Sequence, residues 1–511
     1  MRAYLLHQDR NFDFAADICP NAAALTQDLE LEILLQAMAG KDEFLRNIAN
    51  RVLLAATPPT PDEIRYRQAA LKDCRLEQAV VGQIYDLAVE TLQEEKKIHF
   101  GIFRDSPQTM LYRSVEVLTM FTGKLKRLRG LVDANREGFR SDAFRTMFAS
   151  LDEELSDSYF ATVESHLKRL RFTGGILIGA ELGRGNKNRN YTLRAPPPRR
   201  NWFLGLFDWL FGRRPDSYHF ELYPRDEAGA QALSQIRDRG LALAAKAVAV
   251  SVGHVLSFFK MLRAELAFYL AALNLETMLA SLGCRICTPD PLSAGQEAFS
   301  CRGLYDVGLA LQMGRSITGN DVDASGKRLI VITGANQGGK STFLRSVGLA
   351  QLMLQSGMSV AAEAFAADVG RSVFTHYKRE EDTSLSSGKF EEEMKRMSDL
   401  VNLIRPNALM LFNESFASTN EREGSQIARD IVDGLCRYGV KVVFVTHMFE
   451  LANGLRRDAT GESLFLRAER DEQGTRNYRL IESDPLPTSY GQDLYEQIFK
   501  DDPPAPRRSV A

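Results

Sequence analysis

The feature that most constrains the fold is a glycine-rich loop between an apolar run and a helical pattern. The loop reads Gly334-Ala335-Asn336-Gln337-Gly338-Gly339-Lys340-Ser341-Thr342. Before it, residues 329–332 predict a buried parallel strand, and the residues up to Ser356 predict a helix. Strand, loop and helix in this order are the context that a phosphate-binding loop requires. The chain is therefore predicted to contain an α/β domain that binds a nucleoside triphosphate.

Two side chains of this loop have roles that follow from their chemistry. The glycines allow backbone N–H groups to point at phosphate oxygens, and a helix N-terminus favours negative charge. Lys340 is expected to reach the β- and γ-phosphates, and the hydroxyl of Ser341 is expected to ligate Mg²⁺. ATP and Mg²⁺ are therefore the predicted substrate and cofactor.

Two further apolar runs each end in polar residues. Residues 408–412 precede Asn413 and Glu414, and residues 441–445 precede a threonine and His447. Glu414 is suited to polarise an attacking water and accept its proton, and His447 is suited to sense the γ-phosphate or that water. Asn413 stands where such enzymes usually carry an aspartate. Its amide can accept from a Mg²⁺-bound water but adds no negative charge.

Composition limits the other possibilities. A chain of 511 residues is too long for one core and suggests about three domains. Lys and Arg number 64 against 66 Asp and Glu, so nucleic-acid binding requires a local basic patch. Six unevenly spaced cysteines and no secretory signal pattern favour a cytoplasmic protein. The sequence shows no uninterrupted apolar run of the roughly 18 residues that span a bilayer, so no stable membrane insertion is expected.

Changes in pattern along the chain predict its organisation, which is an α-helical region followed by an α/β domain. The predicted segments are a helical region at 1–170, short strands and an aromatic stretch at 171–225, long helices at 226–299, the α/β domain at 300–498 and a disordered tail at 499–511. Within the first segment, Thr60-Pro61-Asp62-Glu63 predicts a capping box at a helix start.

Several motifs follow the loop in a specific order. They are Asn413-Glu414, Ser418-Thr419, Glu423-Gly424, Thr446-His447-Met448-Phe449-Glu450-Leu451 and Ser489-Tyr490-Gly491. Together with the loop they resemble the ATPase segment of the MutS family of DNA mismatch-repair ATPases, over about residues 300–498. The resemblance implies an ABC-type P-loop ATPase domain that works as a homodimer.

In that family each nucleotide is sandwiched between one phosphate-binding loop and a serine-glycine segment of the partner. Ser384-Leu385-Ser386-Ser387-Gly388-Lys389-Phe390 resembles this segment, which implies that Ser386, Ser387 and Gly388 contact nucleotide in trans. Small hydroxyl side chains and a glycine allow close backbone approach to a γ-phosphate. Read alone, the segment also fits a flexible surface loop.

The resemblance extends upstream. Residues 64–73 resemble the start of the family's helical core, and residues 257–268 resemble the lever helix that leads to the ATPase. A reduced clamp is then expected within 171–225, where duplex or branched DNA would meet basic side chains. The basic side chains are Lys168, Arg169, Arg171, Arg184, Lys187, Arg189 and Arg194. No counterpart of the family's mismatch-reading domain is recognised, and a MutL-like repair partner is possible in such a system.

Several alternatives stay open at this point. The basic run also fits a solvated loop. The stretch from Trp202 to Phe211 fits packing against the core, a docking site for a partner or an interfacial membrane helix. The chain could therefore act as a nucleotide-driven switch on a protein or ribonucleoprotein machine. Because of Asn413, it could also be a nearly inactive ATP-binding scaffold.

Overall fold

The structure is a computed structural model. It describes residues 1–99, 106–173, 175–184, 188–194, 221, 223, 225–335, 337–370, 372–379, 388–458, 461–470 and 476–486. The stretch Trp202 to Phe211, residue Lys187 and the predicted tail lie outside these residues.

The chain forms two compact units. The first contains residues 1–3, 79–137 and 146–263, and the second contains residues 4–78, 138–145 and 264–511. The predicted domain boundaries stay predictions. Each unit is assembled from separate stretches of the chain, so neither could be delimited by a single pair of positions.

Long helices make up most of the first unit. They are α5 (Gln78–His99), α6 (Pro107–Asn135), α7 (Asp142–Glu154), α8 (Asp157–Leu170) and the first part of α9 (Glu227–Ser281). Helix α6 begins where the Ser106 hydroxyl accepts from the Thr109 N–H and Pro107 occupies the first turn. Ser156 caps α8 in the same way through Tyr159. A cluster of buried side chains that includes Leu111, Leu167 and Leu241 then packs these helices together.

A short antiparallel hairpin joins this helical unit, with strands β1 (Ile178–Leu182) and β2 (Asn188–Leu193). The short strands predicted within 171–225 are thus confirmed. Ile178 packs so closely on the backbone of α9 that a Cβ on Gly240 would lie 2.7 Å from it. The hairpin is therefore fixed to the helix that follows it in the chain.

Helix α9 is 55 residues long. By length and composition alone it contains a stretch apolar enough to cross a membrane, of which 28% is buried. The core helix of a soluble protein meets the same test. One such helix is weak evidence for a membrane span, and the expectation of no membrane insertion stays a prediction.

The second unit begins with helices that cover a sheet. They are α1 (Ala22–Asp28), α2 (Leu31–Ala39), α3 (Glu43–Leu53) and α4 (Pro61–Leu76). The capping box is confirmed at α4, since the Thr60 side chain accepts from the Glu63 N–H and the Glu63 carboxylate accepts from the Thr60 N–H. Helix α3 begins at Asp42, whose carboxylate accepts from two backbone N–H groups.

The C-terminal part of the second unit carries two sheets. The smaller has the order β3 (Asp290–Leu292), β7 (Ala364–Asp368), β4 (Phe299–Leu304), β5 (Asn320–Asp323). The larger has the order β12 (Arg476–Glu482), β11 (Ser463–Arg470), β6 (Leu329–Thr333), β10 (Lys441–Val445), β9 (Leu409–Asn413), β8 (Val373–Tyr377). The associated helices are α10 (Val307–Met313), α11 (Lys340–Ser356), α12 (Lys389–Leu403), α13 (Glu421–Arg437) and α14 (Phe449–Arg457).

The larger sheet determines where the polar residues meet. Strands β11, β6, β10, β9 and β8 are parallel, and only β12 is antiparallel to its neighbour. Their side chains are buried on both faces, which explains the continuous apolar runs in the sequence. Parallel strands end at one common edge, so the residues after β6, β9 and β10 are brought together. The predicted mixture of a helical region and an α/β domain is confirmed at this level.

Candidate nucleotide-binding site

The phosphate-binding loop follows β6 and leads into α11. Gly339 is the N-cap of α11 with φ 88°, and Gly334 has φ 117°, both in the region that favours glycine. A Cβ on Gly334 would also lie 3.0 Å from the backbone nitrogen of Ala468 on β11. The two glycines therefore let the loop turn tightly against the neighbouring strand, with the N-terminus of a 17-residue helix facing the loop.

Lys340 lies inside the loop. Its ammonium donates to the carbonyl oxygens of Gly334 at 2.9 Å and Ala335 at 3.0 Å. Burial lowers the pKa of the Lys340 ammonium, and the carboxylate of Glu414 opposes that shift. The side chain is thus held within the loop that is predicted to surround the phosphates, with a carboxylate of the same site nearby.

Ser341 and Asn413 meet across the sheet edge. The Ser341 hydroxyl donates to Oδ1 of Asn413 at 2.8 Å, although 72 positions separate the two residues. A hydroxyl and an amide oxygen are both ligands that Mg²⁺ accepts, directly or through its water. The two residues therefore fit the predicted Mg²⁺ site, with one negative charge fewer than an aspartate would provide.

Glu414 and His447 form the next contact along this edge. The backbone N–H of His447 donates to Oε2 of Glu414 at 3.2 Å, and the imidazole Nδ1 contacts the same oxygen. This hydrogen bond raises the pKa of His447 and outweighs the opposing effect of burial. Glu414 itself has φ 54°, a strained value for a residue other than glycine. The backbone there is held in an unusual conformation that aims the carboxylate at His447.

The other predicted site residues are only partly described. Gln337 and Gly338 lie in the loop, with φ 60° at Gln337, and Thr342 lies in the first turn of α11. Gly388 is the residue that precedes α12. Asn336, Ser386 and Ser387 lie outside the described residues, as does the motif Ser489-Tyr490-Gly491. Their predicted contacts with nucleotide stay predictions.

Two groups near the site were not predicted from the sequence. Tyr478 of β12 lies against Gly339, where a Cβ would be 3.6 Å from it, and Asn320 holds this strand by donating to the Tyr478 carbonyl. His376 of β8 contacts Ser415, the residue after Glu414. Strand patterns do not reveal the register between strands that are far apart in the sequence, so the sequence predicted neither contact. A role for Ser415 could have been suggested only by its position directly after Glu414.

A cavity of about 590 Å³ adjoins β12 in the second unit. Asn320 and Leu480, which hydrogen-bond to each other, both line it, together with Ile317, Arg302 and Arg479. The cavity therefore shares the residues that hold Tyr478 beside the phosphate-binding loop.

Comparison with known proteins places this site in a wider group. Residues 59–282 match the family model described as the MutS2 N-terminal domain, and residues 330–500 match MutS domain V. The second match begins in β6 and includes every described site residue that the sequence predicted.

Individual relatives share the same family name. MutS protein homolog 4 of Homo sapiens is 30% identical over 139 residues, which are 27% of this chain and 15% of the relative. Endonuclease MutS2 of Shouchella clausii is 38% identical over 125 residues, 24% of this chain and 16% of the relative. DNA mismatch repair protein MutS of Thermotoga neapolitana is 38% identical over 127 residues, 25% of this chain and 16% of the relative.

The chain thus spans about a sixth of the length of the curated relatives it matches. The two family models nevertheless cover its helical part and its α/β part in the same order as they occur in the fold. Together with the phosphate-binding loop and the residues at the sheet edge, these matches identify the family. The chain belongs to the MutS family.

Proposed function

We propose that the protein is a dimeric, DNA-binding ATPase whose conformation is driven by ATP binding and hydrolysis. The observation that supports this best is the group of residues at one sheet edge. Lys340 in its loop, the Ser341–Asn413 pair and the Glu414–His447 pair all follow neighbouring parallel strands. This arrangement has the parts that phosphoryl transfer from a nucleoside triphosphate needs.

Each part has a distinct task in hydrolysis. The loop N–H groups and the Lys340 ammonium bind the phosphates of ATP and stabilise the charge that develops on them. Ser341 and Asn413 would hold Mg²⁺, which supplies positive charge to the phosphate oxygens when bound. Glu414 orients a water and accepts its proton, and His447 holds the Glu414 carboxylate in place.

The dimer follows from the family resemblance. An ABC-type ATPase of this family completes its nucleotide site with the serine-glycine segment of a second copy. Gly388, the last of the three residues predicted to contact nucleotide in trans, directly precedes α12, and the first turn of α12 carries Glu391 and Glu392. ATP binding would draw two such domains together, and the long helices that precede the domain would act as levers.

DNA is the proposed target because the names of relatives include DNA mismatch repair and because a basic surface is present. In the first unit Lys168, Arg169 and Arg171 lie exposed at the end of α8, and Arg184 and Arg194 lie exposed in the hairpin region. Exposed arginine and lysine side chains neutralise backbone phosphates of duplex DNA. Duplex or branched DNA in repair or recombination is therefore the proposed substrate, with the cytoplasm as the proposed location and a MutL-like protein as a further possible partner.

The test is steady-state ATP hydrolysis with and without duplex and branched DNA, at low and at moderate salt. DNA should stimulate turnover, and the stimulation should fade as salt rises because phosphate contacts release counterions. Replacing Lys168, Arg169 and Arg171 with alanine should abolish the stimulation and leave DNA-free turnover intact. Lys41→Ala, which removes an exposed charge from the second unit, is the matched control.

Two results would contradict this proposal. If ATP turnover did not change with DNA, a protein or ribonucleoprotein would replace DNA as the proposed target. No turnover under any condition, with ATP still bound, would favour an ATP-binding scaffold instead.

A further inference from the structure

The backbone that carries Glu414 is strained on both sides of Ser415. Glu414 has φ 54° and Phe416 has φ 64°, and neither is glycine. Such conformations persist only where surrounding contacts hold them. The Glu414 N–H donates to the Val445 carbonyl at 2.9 Å, which fixes the start of the turn. Something else must fix its remainder.

His376 supplies several of the remaining contacts. Its Nδ1 lies 2.8 Å from the Ser415 hydroxyl, and its ring stacks on the Phe416 ring at a centroid distance of 5.2 Å and an angle of 15°. All three residues are buried, with 1% of His376 exposed and none of Ser415 or Phe416. The imidazole therefore contacts the two residues that follow Glu414 in the turn.

The second nitrogen of His376 reaches another element. Its Nε2 lies 3.1 Å from the backbone carbonyl of Glu393 in α12. A carbonyl can only accept, so Nε2 carries the hydrogen. In a neutral ring Nδ1 is then an acceptor. The Ser415 hydroxyl lies within hydrogen-bond distance of this nitrogen and also donates to the backbone carbonyl of His376. Burial lowers the pKa of His376 to about 4, with Arg396 adding to the effect, which agrees with the neutral form.

Helix α12 also contacts the residues after this turn through its own side chain Glu393. The Glu393 carboxylate accepts from the Ser418 hydroxyl at 3.2 Å, and Glu393 is buried. Gly388, which directly precedes this helix, is the last of the three residues predicted to contact the partner's nucleotide. A single imidazole thus joins the turn after Glu414 to the helix that follows these residues.

We propose that His376 is a positioning residue for Glu414, which holds the turn Glu414–Phe416 in its strained conformation and ties it to α12. This rests on the proposed hydrolytic role of Glu414. His376 does not touch the reacting atoms and acts only through Ser415 and Phe416. Its loss should therefore slow the chemical step without weakening the binding of ATP.

Three variants separate the contacts. His376→Phe keeps a ring for stacking and the backbone carbonyl but loses both ring nitrogens. Ser415→Ala removes the hydroxyl that contacts both Nδ1 and this carbonyl. Each should lower kcat about tenfold with KM for ATP changed less than about twofold, as expected when only the transition state is affected. The double variant should be no slower than Ser415→Ala alone. His376→Asn places an amide oxygen near the position of Nδ1, so it should recover most of kcat.

Ser425→Ala is the matched control. Ser425 is also buried, with 4% exposed, and its hydroxyl has no hydrogen-bond partner within the part of the chain that the structure describes. Removing the same group there should leave kcat unchanged. The proposal would be overturned if kcat fell in proportion to the melting temperature across all variants and if the effects of His376→Phe and Ser415→Ala on kcat were additive.

A second measurement does not depend on turnover. Hydrogen exchange of the nucleotide-free protein should become faster at the Glu414 amide in His376→Phe, while the amides of β10 stay protected. Unchanged exchange at Glu414 would overturn the positioning role even if kcat fell. If the wild-type protein does not hydrolyse ATP, the proposed function fails, and the exchange result still decides whether His376 holds the turn.

Discussion

Two glutamates of the second unit show how differently the same side chain is used. Glu414 lies at the open edge of the large sheet, where 20% of its side chain is exposed, and its carboxylate accepts a hydrogen bond from His447. Glu265 of α9 is fully buried, and its carboxylate accepts from the backbone N–H groups of Leu5, Leu6 and Phe12.

The two environments shift the local equilibria in different ways. Burial raises the pKa of Glu265 to about 7, against the opposing effect of its three N–H donors. Beside Glu414, the hydrogen bond to its carboxylate raises the pKa of His447. A carboxylate with water access and a titratable partner is suited to chemistry, whereas one enclosed by backbone donors fixes a chain segment. The following predictions test this contrast, from the largest expected effect to the smallest.

Glu414→Gln should block hydrolysis and preserve ATP binding. The amide keeps the shape of the side chain but cannot accept a proton, so kcat should fall by about 10²- to 10⁴-fold. Single-turnover hydrolysis and equilibrium binding of labelled ATP measure the two quantities separately. Normal turnover would contradict the assignment of Glu414 as the group that positions water.

Lys340→Ala should reduce ATP affinity by about 100-fold, because charge-assisted hydrogen bonds to phosphate contribute about 1.5–3 kcal/mol each. Titration of fluorescent ATP measures the loss. Lys327→Ala is a suitable control, since that lysine caps a carbonyl of Gly461 outside the loop. Equal affinity in the two variants would count against the phosphate-binding role.

Glu265→Gln should change how stability depends on pH. Because the folded-state pKa of Glu265 is raised to about 7, its contribution is complete below the unfolded pKa of 4.5 and is lost as pH rises through about 7. The wild-type free energy of unfolding should therefore fall by up to about 3 kcal/mol over this window from this group alone. Denaturant unfolding at several pH values should show a smaller fall in the variant. An identical slope would contradict the raised pKa.

Asn413→Asp should have the smallest effect and should increase turnover. The added charge would strengthen Mg²⁺ binding next to Ser341, and a gain of about three- to tenfold at limiting Mg²⁺ is expected. Steady-state hydrolysis across a Mg²⁺ titration measures it. An unchanged Mg²⁺ dependence would argue against this position as part of the cation site and against the idea that Asn413 makes the protein a scaffold.

The sequence predicts the site around Glu414 at the sheet edge better than the buried contacts of Glu265. Parallel strands end at one edge, so motifs after 329–332, 408–412 and 441–445 could be placed together without a structure. The contact between Ser341 and Asn413 follows from this rule, although its 2.8 Å distance does not. His376 and Glu265 had no such signal, because a buried polar residue within an apolar element reveals nothing about its partner. Their contacts depend on register and on packing between positions far apart in the sequence.

The contacts around Glu265 also determine how late during synthesis the second unit can complete its folding. The Glu265 carboxylate accepts from the Leu5 and Leu6 N–H groups, and Tyr269 donates to the Leu5 carbonyl. Leu5 and Leu6 are therefore held partly by residues that are made about 260 positions later. Ribosomes add about 5–20 residues per second, so Leu5 and Leu6 lack these partners for on the order of ten seconds or more. During that interval Leu5 and Leu6, fully buried in the finished fold, are available to chaperones. The second unit is therefore expected to complete folding late, after its final sheet has emerged.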